Sequence, residues 1–244
     1  MTQHAEAVRR VPLNRDRVLQ AAVVLADEVG LDALSMRRLA QELSVVPMAL
    51  YKHVANKEEL LDGMVDTLVG EIDPPTPDVP WKTAVRLRVL SARRVLLRHP
   101  WARPVIETRT NTTPAVLGYM DTFVGMFLAG GFSEDLTHHV MHAMGSRMWG
   151  FTQEVFDDAG RQGGNPEPKA APEVQAAMAQ VMAENYPNLF RIAVSAAHDD
   201  ESVVGNGCDD QFEFEFALDL LLDGFERLHQ RNWTSHGRAH EHSD

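Results

Sequence analysis

The stretch VVPMALYKHVANKEEL, residues 45–60, places proline, tyrosine, lysine and histidine together on one short predicted helix. Proline is tolerated in the first turn of a helix, so Pro47 predicts that the helix begins there. Leu50 and Val54 lie four residues apart, a spacing that puts both on the face that packs against the interior. The remaining side chains are therefore left on the outside: Pro47, Met48, Tyr51, Lys52 and His53.

Three further helix starts surround this segment. Asn14 and Ser35 are the predicted N-caps of two helices upstream. Asn56 followed by Glu59 resembles a capping box, which predicts a fourth helix over 57–72. Three short helices with a tight break before the third are the layout of a helix-turn-helix DNA reader.

The outward face of the third helix suits the major groove of DNA. Tyrosine and lysine side chains can reach phosphates, and the apolar Met48 can contact a thymine methyl. A generic helical hairpin with a few exposed residues would show the same pattern. The residue pattern alone therefore leaves both interpretations open.

Charge is distributed unevenly along this chain, whose formal net charge is -12. Residues 81–110 carry eight basic residues and one acidic residue, whereas residues 111–244 carry seven basic and 21 acidic residues. Because an acidic body repels polyanions, any contact with nucleic acid is expected toward the N-terminus. The arginines of 81–110 either pair between domains or neutralise the acidic body, and the sequence leaves this choice open.

Several other classes of protein are disfavoured by the sequence. It has neither an uninterrupted apolar run long enough to span a membrane nor the apolar core of a signal peptide. One cysteine cannot form an internal disulfide, which fits a reducing cytoplasm. There is no phosphate-binding glycine loop, metal signature or nucleophile elbow, so neither catalysis nor a cofactor is expected. The competing function is an all-helical small-molecule carrier without specific DNA binding.

The whole chain is predicted to be all-α. DPPTPDVP, residues 73–80, is a stiff proline-rich linker. FEFEFALDLLLDGFERL opens with the alternation of a strand, but its continuation has helical spacing, which favours a helix. Helices are expected near 81–98, 113–129, 133–157, 173–185, 187–198 and 209–231. The predicted domains are an arm (1–13), a helix-turn-helix domain with its connecting helix (14–72), the linker (73–80), a helical ligand-binding and dimerisation domain (81–231) and a tail (232–244).

Residues 13–72 resemble the DNA-binding domain of the TetR family of bacterial transcriptional regulators. The matching motifs are GLDALS, RRLAQEL and LYKHVANKEELL, in the family's order and spacing. HPWA at 99–102 and AGGFS at 129–133 also resemble the C-terminal domains of the tetracycline-repressor branch. Ser44 stands where the family often has glycine, and Ala49 where many members have threonine or serine.

The resemblance implies a cytoplasmic homodimer that binds a palindromic operator in double-stranded DNA, more often as a repressor than as an activator. Arg37 would contact phosphate or a base, and Lys57 would bind phosphate. The recognition surface would be formed by Pro47, Met48, Tyr51, Lys52 and His53.

The resemblance also implies that the C-terminal body dimerises and holds a small-molecule inducer. Two apolar stripes would form a four-helix interface between subunits, although packing within one subunit remains an alternative. The stripes include Leu136, Val140 and Met144 in one and Phe216, Leu220 and Leu228 in the other. Methionine and aromatic residues suit an adaptable pocket, and they suit a plain core as well. The candidate pocket residues are Trp101, Ile106, Arg109, Met120, Phe123, Phe127, Met141, Met148, Trp149 and Phe151.

Two specific ligands are disfavoured. Thr108, Arg109 and Glu154 match polar positions around a tetracycline–magnesium site, but the two histidines expected beside them are absent. His138 and His142 lie four residues apart, a spacing that can bind a transition metal. No cysteine or carboxylate pair stands at a matching spacing, so no metal site is expected.

Overall fold

The computed structural model describes residues 12–108, 112–149, 172–196 and 210–236, and this part of the chain is all-α, as predicted. It contains eleven helices and no strand. They are α1 Arg15–Val29, α2 Met36–Glu42, α3 Pro47–Leu50, α4 Lys57–Glu71, α5 Trp81–Arg98, α6 Ala102–Thr108, α7 Pro114–Ala129, α8 Glu134–Trp149, α9 Pro172–Asn185, α10 Pro187–Ala196 and α11 Asp210–Gln230.

The predicted N-caps of the first helices are confirmed. Asn14, Ser35 and Asn56 each accept a hydrogen bond of 2.8 to 3.2 Å from the backbone N–H three residues further on. These bonds satisfy donors that have no partner inside the helix. The carboxylate of Glu59 accepts the backbone N–H of Ala55 at 2.7 Å, one residue before the cap. The start of α4 is therefore fixed from both sides.

One helix is missing from the sequence-based prediction. Pro100 and Pro104 favour a loop, yet α6 begins at Ala102, whose N–H bonds to the carbonyl of His99 at 2.9 Å. A proline in the first turn costs no hydrogen bond, because the first four N–H groups of a helix have no intrahelical acceptor. The prolines therefore start this helix instead of preventing it.

The alternating segment FEFEF lies within helix α11, as the helical interpretation predicted. Leu218, Leu222 and Phe225 are buried at helical spacing. The predicted continuation of α8 to 157 and of α10 to 198 lies outside the described residues.

The chain divides into two compact units, residues 1–142 with 233–244 and residues 143–232. In the first unit α4 packs against α1, α5, α6 and α7, and α2 packs against α1 and α3. In the second unit α9 packs against α10. The first unit therefore contains the predicted DNA reader and the helices α5–α7 that follow the linker.

The start of the predicted tail is attached to α8. The backbone N–H and the hydroxyl of Ser235 both donate to the carboxylate of Asp135 at 2.7 Å. These two bonds hold the pKa of Asp135 below its ordinary value. The ring of Trp233 also meets that of His139 edge to face, with centroids 5.3 Å apart.

Candidate functional site

The turn between α2 and α3 positions the predicted recognition helix. The N–H of Val45 bonds to the carbonyl of Ala40, and the N–H of Ser44 bonds to that of Gln41. These two bonds define a Schellman motif, which requires a left-handed residue just after the helix. Ser44 fills that position with φ of 54°. Ser44, at a position where the family often has glycine, thus adopts the left-handed conformation that glycine reaches most easily.

Helix α3 ends at Leu50, so the two faces that the sequence predicts are formed by α3 together with the residues that follow it, 51–54. Leu50 and Val54 are fully buried, within the same apolar core as α1, α2 and α4. Met48 is 71% exposed and Tyr51 is also exposed. The remaining predicted DNA-contacting residues are also outside the core, with His53 half-buried and the others exposed: Arg37, Pro47, Lys52 and Lys57.

The cations of this surface are available to an external anion. Within the described part of the chain, Arg37, Lys52 and Lys57 make no ion pair or hydrogen bond through their side chains. A cation that gives up no internal partner can neutralise a phosphate at little structural cost. This arrangement suits contact with the DNA backbone.

Val46 is a further member of this surface that the sequence analysis missed. It precedes Pro47, caps α3 without a side-chain hydrogen bond and is 67% exposed. Val45 packs against the core instead. The available signal was that adjacent residues in extended backbone point to opposite sides, so only one of the two valines can be buried.

A buried histidine joins three parts of the first unit. His99 lies between α5 and α6, and its Nδ1 is 2.8 and 3.0 Å from the two carboxylate oxygens of Asp27 on α1. Its Nε2 lies 3.2 Å from the carboxylate of Glu71, the last residue of α4. The indole Nε1 of Trp101 donates to Asp27 at 2.6 Å. The end of α4, which follows the recognition helix, is thus bonded directly to the segment before α6.

Arginines of α5 bind the same end of α4 and the start of the linker. Arg88 is buried and donates to the backbone carbonyls of Ile72 and Asp73. Arg94 pairs with the carboxylate of Asp73 at 2.5 Å, and Arg98 with that of Glu71 at 2.7 Å. This geometry supports interdomain pairing, one of the two roles left open for the basic segment.

Several predicted pocket residues lie in the packed interior. Phe123 and Phe127 of α7 are buried in an aromatic cluster with Trp81, and their ring centroids are 5.7 Å apart. Trp101 and Ile106 pack against the core formed by α1–α4. Within the described residues, Phe123 and Phe127 thus belong to the aromatic cluster, and Trp101 and Ile106 to the core of α1–α4.

Buried polar groups lie beside the aromatic cluster. The guanidinium carbon of Arg88 lies 4.7 Å from the ring centre of Tyr119, and that ring stacks on Phe123. Burial raises the pKa of Tyr119 above its ordinary value of 10.0, and the nearby Arg88 cation only partly opposes the shift.

Two of the methionines predicted to line a pocket, Met120 and Met141, both line a groove between α7 and α8. The volume of this groove is about 450 Å³. The other lining residues are Val124, Leu128, Glu134, Thr137, His138 and His142. No group of three or more metal-ligating residues occurs within the described ranges. Of the remaining pocket candidates, Arg109 and Phe151 lie outside the described residues, and Met148 and Trp149 belong to α8 without a described side chain.

The predicted dimer residues differ in accessibility. Phe216 and Leu220 of α11 are 54% and 53% exposed, and Leu228 is half-buried. The three residues of α8 are already buried within the single chain: Leu136, Val140 and Met144. The dimer prediction therefore rests on the exposed stripe of α11.

Comparison with known proteins connects both halves of the chain to one family. Residues 18–64 match the profile described as bacterial regulatory proteins, tetR family. Residues 73–229 match the tetracyclin repressor-like C-terminal domain. The chain belongs to the TetR family. It is a TetR-family transcriptional regulator, and the first of the two matches includes the helix-turn-helix of α2 and α3.

Two relatives resemble this TetR-family chain to different extents. An HTH-type transcriptional regulator of Saccharopolyspora erythraea is 36% identical over 121 residues, which are 49% of this chain and 51% of that protein. The HTH-type transcriptional repressor DrrR1 of Streptomyces coeruleorubidus is 28% identical over 225 residues, covering 88% of this chain and 78% of the relative. The chain thus spans about half the length of the first relative and most of the second.

A solved structure shows the same fold. The Streptomyces coelicolor TetR family protein ActR, in complex with actinorhodin, superposes with a TM-score of 0.66 at 27% identity. The match covers 88% of this chain and 96% of ActR. None of the helices in the described ranges has the length and apolarity needed to cross a membrane.

Proposed function

We propose that this TetR-family chain is a cytoplasmic, ligand-responsive repressor. It binds a palindromic operator in double-stranded DNA as a homodimer and leaves the operator when a small-molecule inducer binds. It performs no catalysis. One observation carries the proposal: α3 and the residues directly after it, 51–54, bury Leu50 and Val54 completely and expose Met48, Tyr51 and Lys52, whose side chain makes no ion pair or hydrogen bond within the described residues.

The relatives support the repressor and ligand parts of the proposal. The Streptomyces coeruleorubidus relative is named as a repressor, and the ActR structure contains a bound small molecule. The α7–α8 groove, at about 450 Å³, falls within the range of small-molecule sites. The exposed stripe of Phe216 and Leu220 supplies an apolar face for a second subunit.

The bonds at the end of α4 supply the route for the response. Glu71 is held by Arg98 and His99, and Asp73 by Arg88 and Arg94. A ligand that favours a different position of α5 or α6 therefore moves α4 and, through it, the spacing of the two recognition helices. Only a ligand with different affinities for the two positions can do so.

Binding to the DNA upstream of the protein's own gene and of its neighbours tests the proposal, at several salt concentrations. The Lys57→Ala variant is compared with wild type and with Arg191→Ala, which removes an exposed cation from α10 in the other unit. Loss of one phosphate contact per subunit should lower the slope of log K against log salt by about 0.9 for each contact. Arg191→Ala should leave the slope unchanged.

The same experiment separates the regulator from a carrier. Specific retention of a palindromic site by wild type, with loss in Tyr51→Ala and a reduced slope in Lys57→Ala, supports the proposal. If no site is retained at low salt, or if the α10 variant weakens binding as much as Lys57→Ala, the recognition surface is wrongly assigned. The helical body would then be pursued as a carrier.

A further inference from the structure

Three consecutive apolar residues are exposed at the start of α3: Val46, Pro47 and Met48. These three residues form the apolar edge of the recognition surface. Met48 and Val46 have the two highest exposed fractions among the large apolar side chains of the described residues, 71% and 67%. A run of three exposed apolar residues is unfavourable in water unless a partner covers it. The apolar edge therefore indicates a contact that the single chain does not make by itself.

Val46 occupies a position where a polar residue would stabilise the protein. It is the N-cap of α3 and makes no side-chain hydrogen bond there. The N-caps of α1, α2 and α4 are instead Asn14, Ser35 and Asn56, and each accepts a backbone N–H. An apolar residue in place of such a cap lowers stability. The valine therefore does not serve the stability of α3, which points to a contact outside the fold.

The charges around the apolar edge define its partner as DNA. Arg37, Lys52 and Lys57 make no ion pair or hydrogen bond through their side chains within the described residues. Arg37 belongs to α2, Lys52 directly follows α3, and Lys57 is the first residue of α4. Such cations complement phosphates. A partner that covers both the cations and the apolar edge must offer phosphates beside an apolar group, as the major groove of DNA does.

The base edges of the major groove offer one apolar group, the C5 methyl of thymine. All other groups that the bases present there donate or accept hydrogen bonds. The side chains of valine and proline can do neither, so they cannot identify adenine, guanine or cytosine by hydrogen bonding. Contact with a methyl, in contrast, removes apolar surface of both partners from water.

We propose that Val46 is a specificity-determining residue of the operator contact. Together with Met48, it packs against C5 methyl groups of thymine in the major groove. This inference rests on the proposed DNA-binding function and specifies which base the apolar edge selects. Each half-site of the operator therefore contains a thymine at the position that Val46 faces.

Operator DNA that lacks individual thymine methyls tests the proposal on the full-length protein. The probe is the fragment that wild type retains from the DNA upstream of its gene, resynthesised with deoxyuridine in place of one symmetric pair of thymidines at a time. Uracil keeps every hydrogen-bonding group of thymine and lacks only the methyl. Burial of one methyl contributes about fourfold in affinity, so one substituted pair should weaken binding of a wild-type dimer about 15-fold.

Matched variants assign the methyl contact to Val46. Val46→Ala should bind the thymine operator about as weakly as wild type binds the uracil operator, and uracil at the same position should cause no further loss. Val24→Ala shortens an exposed valine of α1 and should behave as wild type on both fragments. If uracil weakens Val46→Ala as much as it weakens wild type, another residue contacts the methyl and the assignment of Val46 is overturned.

The variant Val46→Thr separates base selection from stability. The hydroxyl of threonine can cap α3, so the free energy of unfolding should rise. The same variant replaces a methyl by a polar group at the base contact, so its preference for thymine over uracil should fall. If stability rises without any change in this preference, Val46 does not select the base.

Two further outcomes distinguish failure of this inference from failure of the DNA-binding function. If wild type retains a specific operator but uracil has no effect at any position, the methyl contact is refuted and the DNA-binding function stands. If no specific operator is retained, the proposed function fails and the base selection by Val46 fails with it.

Discussion

Replacing Ser44 by glycine should stabilise the protein, because Ser44 holds a left-handed conformation with φ of 54°. That conformation costs a residue with a Cβ about 1 to 2 kcal/mol. Glycine avoids this cost but loses more chain entropy on folding, which offsets about 0.5 to 1 kcal/mol. The expected net gain in the free energy of unfolding is therefore about 0 to 1.5 kcal/mol.

The same motif at the end of α7 provides the reciprocal experiment. There the N–H of Phe132 bonds to the carbonyl of Phe127, and Gly131 occupies the left-handed position with φ of 87°. Gly131→Ser should lower the free energy of unfolding by a similar amount. One turn has serine and the other glycine at the left-handed position, so Ser44→Gly and Gly131→Ser should change the free energy of unfolding in opposite directions.

Urea denaturation of wild type and variants measures both effects from the transition midpoint at constant m-value. Ser44→Ala is the control, since it removes the hydroxyl and keeps the Cβ. If Ser44→Gly and Ser44→Ala change stability equally, the backbone conformation is not the cause and the reasoning is refuted. Loss of stability in Ser44→Gly alone would refute it as well.

Three further predictions follow from close contacts and buried groups. Gly130→Ala should cost about 1 to 3 kcal/mol in the free energy of unfolding, because the new Cβ would lie 2.7 Å from the Cβ of Trp81. Gly125 lies within α7, where an added Cβ meets no atom within 4 Å, so Gly125→Ala should instead raise the free energy of unfolding by about 0.5 to 1 kcal/mol. The pKa of Tyr119 is higher in the folded than in the unfolded state, so the folded protein keeps this proton at a pH where the unfolded chain loses it. The free energy of unfolding should therefore fall as the pH rises past 10.0, and it should fall less in the Tyr119→Phe variant. Asp27→Ala should lower the free energy of unfolding by about 2 to 4 kcal/mol, because it removes the carboxylate that pairs with the rings of His99 and Trp101. Thermal or urea unfolding measures this loss, and an effect below about 1 kcal/mol would contradict it.

Local signals in the sequence predicted the DNA reader well. Asn14, Ser35 and Asn56 act within four residues of themselves, and the four-residue spacing of Leu50 and Val54 predicted that both are buried, although α3 ends at Leu50. Such features need no knowledge of the rest of the chain. They can therefore be predicted from the sequence without any tertiary contact.

The ligand region was less predictable because its contacts are distant in sequence. Phe127 and Met120 lie on one helix and both are apolar, yet the first packs into the aromatic cluster and the second lines the groove. Which side of α7 is covered depends on α4 and α5, which pack against it. His99 likewise meets a carboxylate 72 residues earlier, and no local pattern indicates such a pair.

The apolar core of the DNA reader does not end where the proline-rich linker begins. Val95, Trp101, Ala102 and Val105 belong to the same buried cluster as α1–α4. A fragment that stops at residue 72 would expose that surface to water and would lose the partners of Asp27 and Glu71. The linker thus separates two segments of the sequence that share one hydrophobic core. A chimaera that takes its DNA-binding domain from this protein must therefore include the chain up to the end of α6.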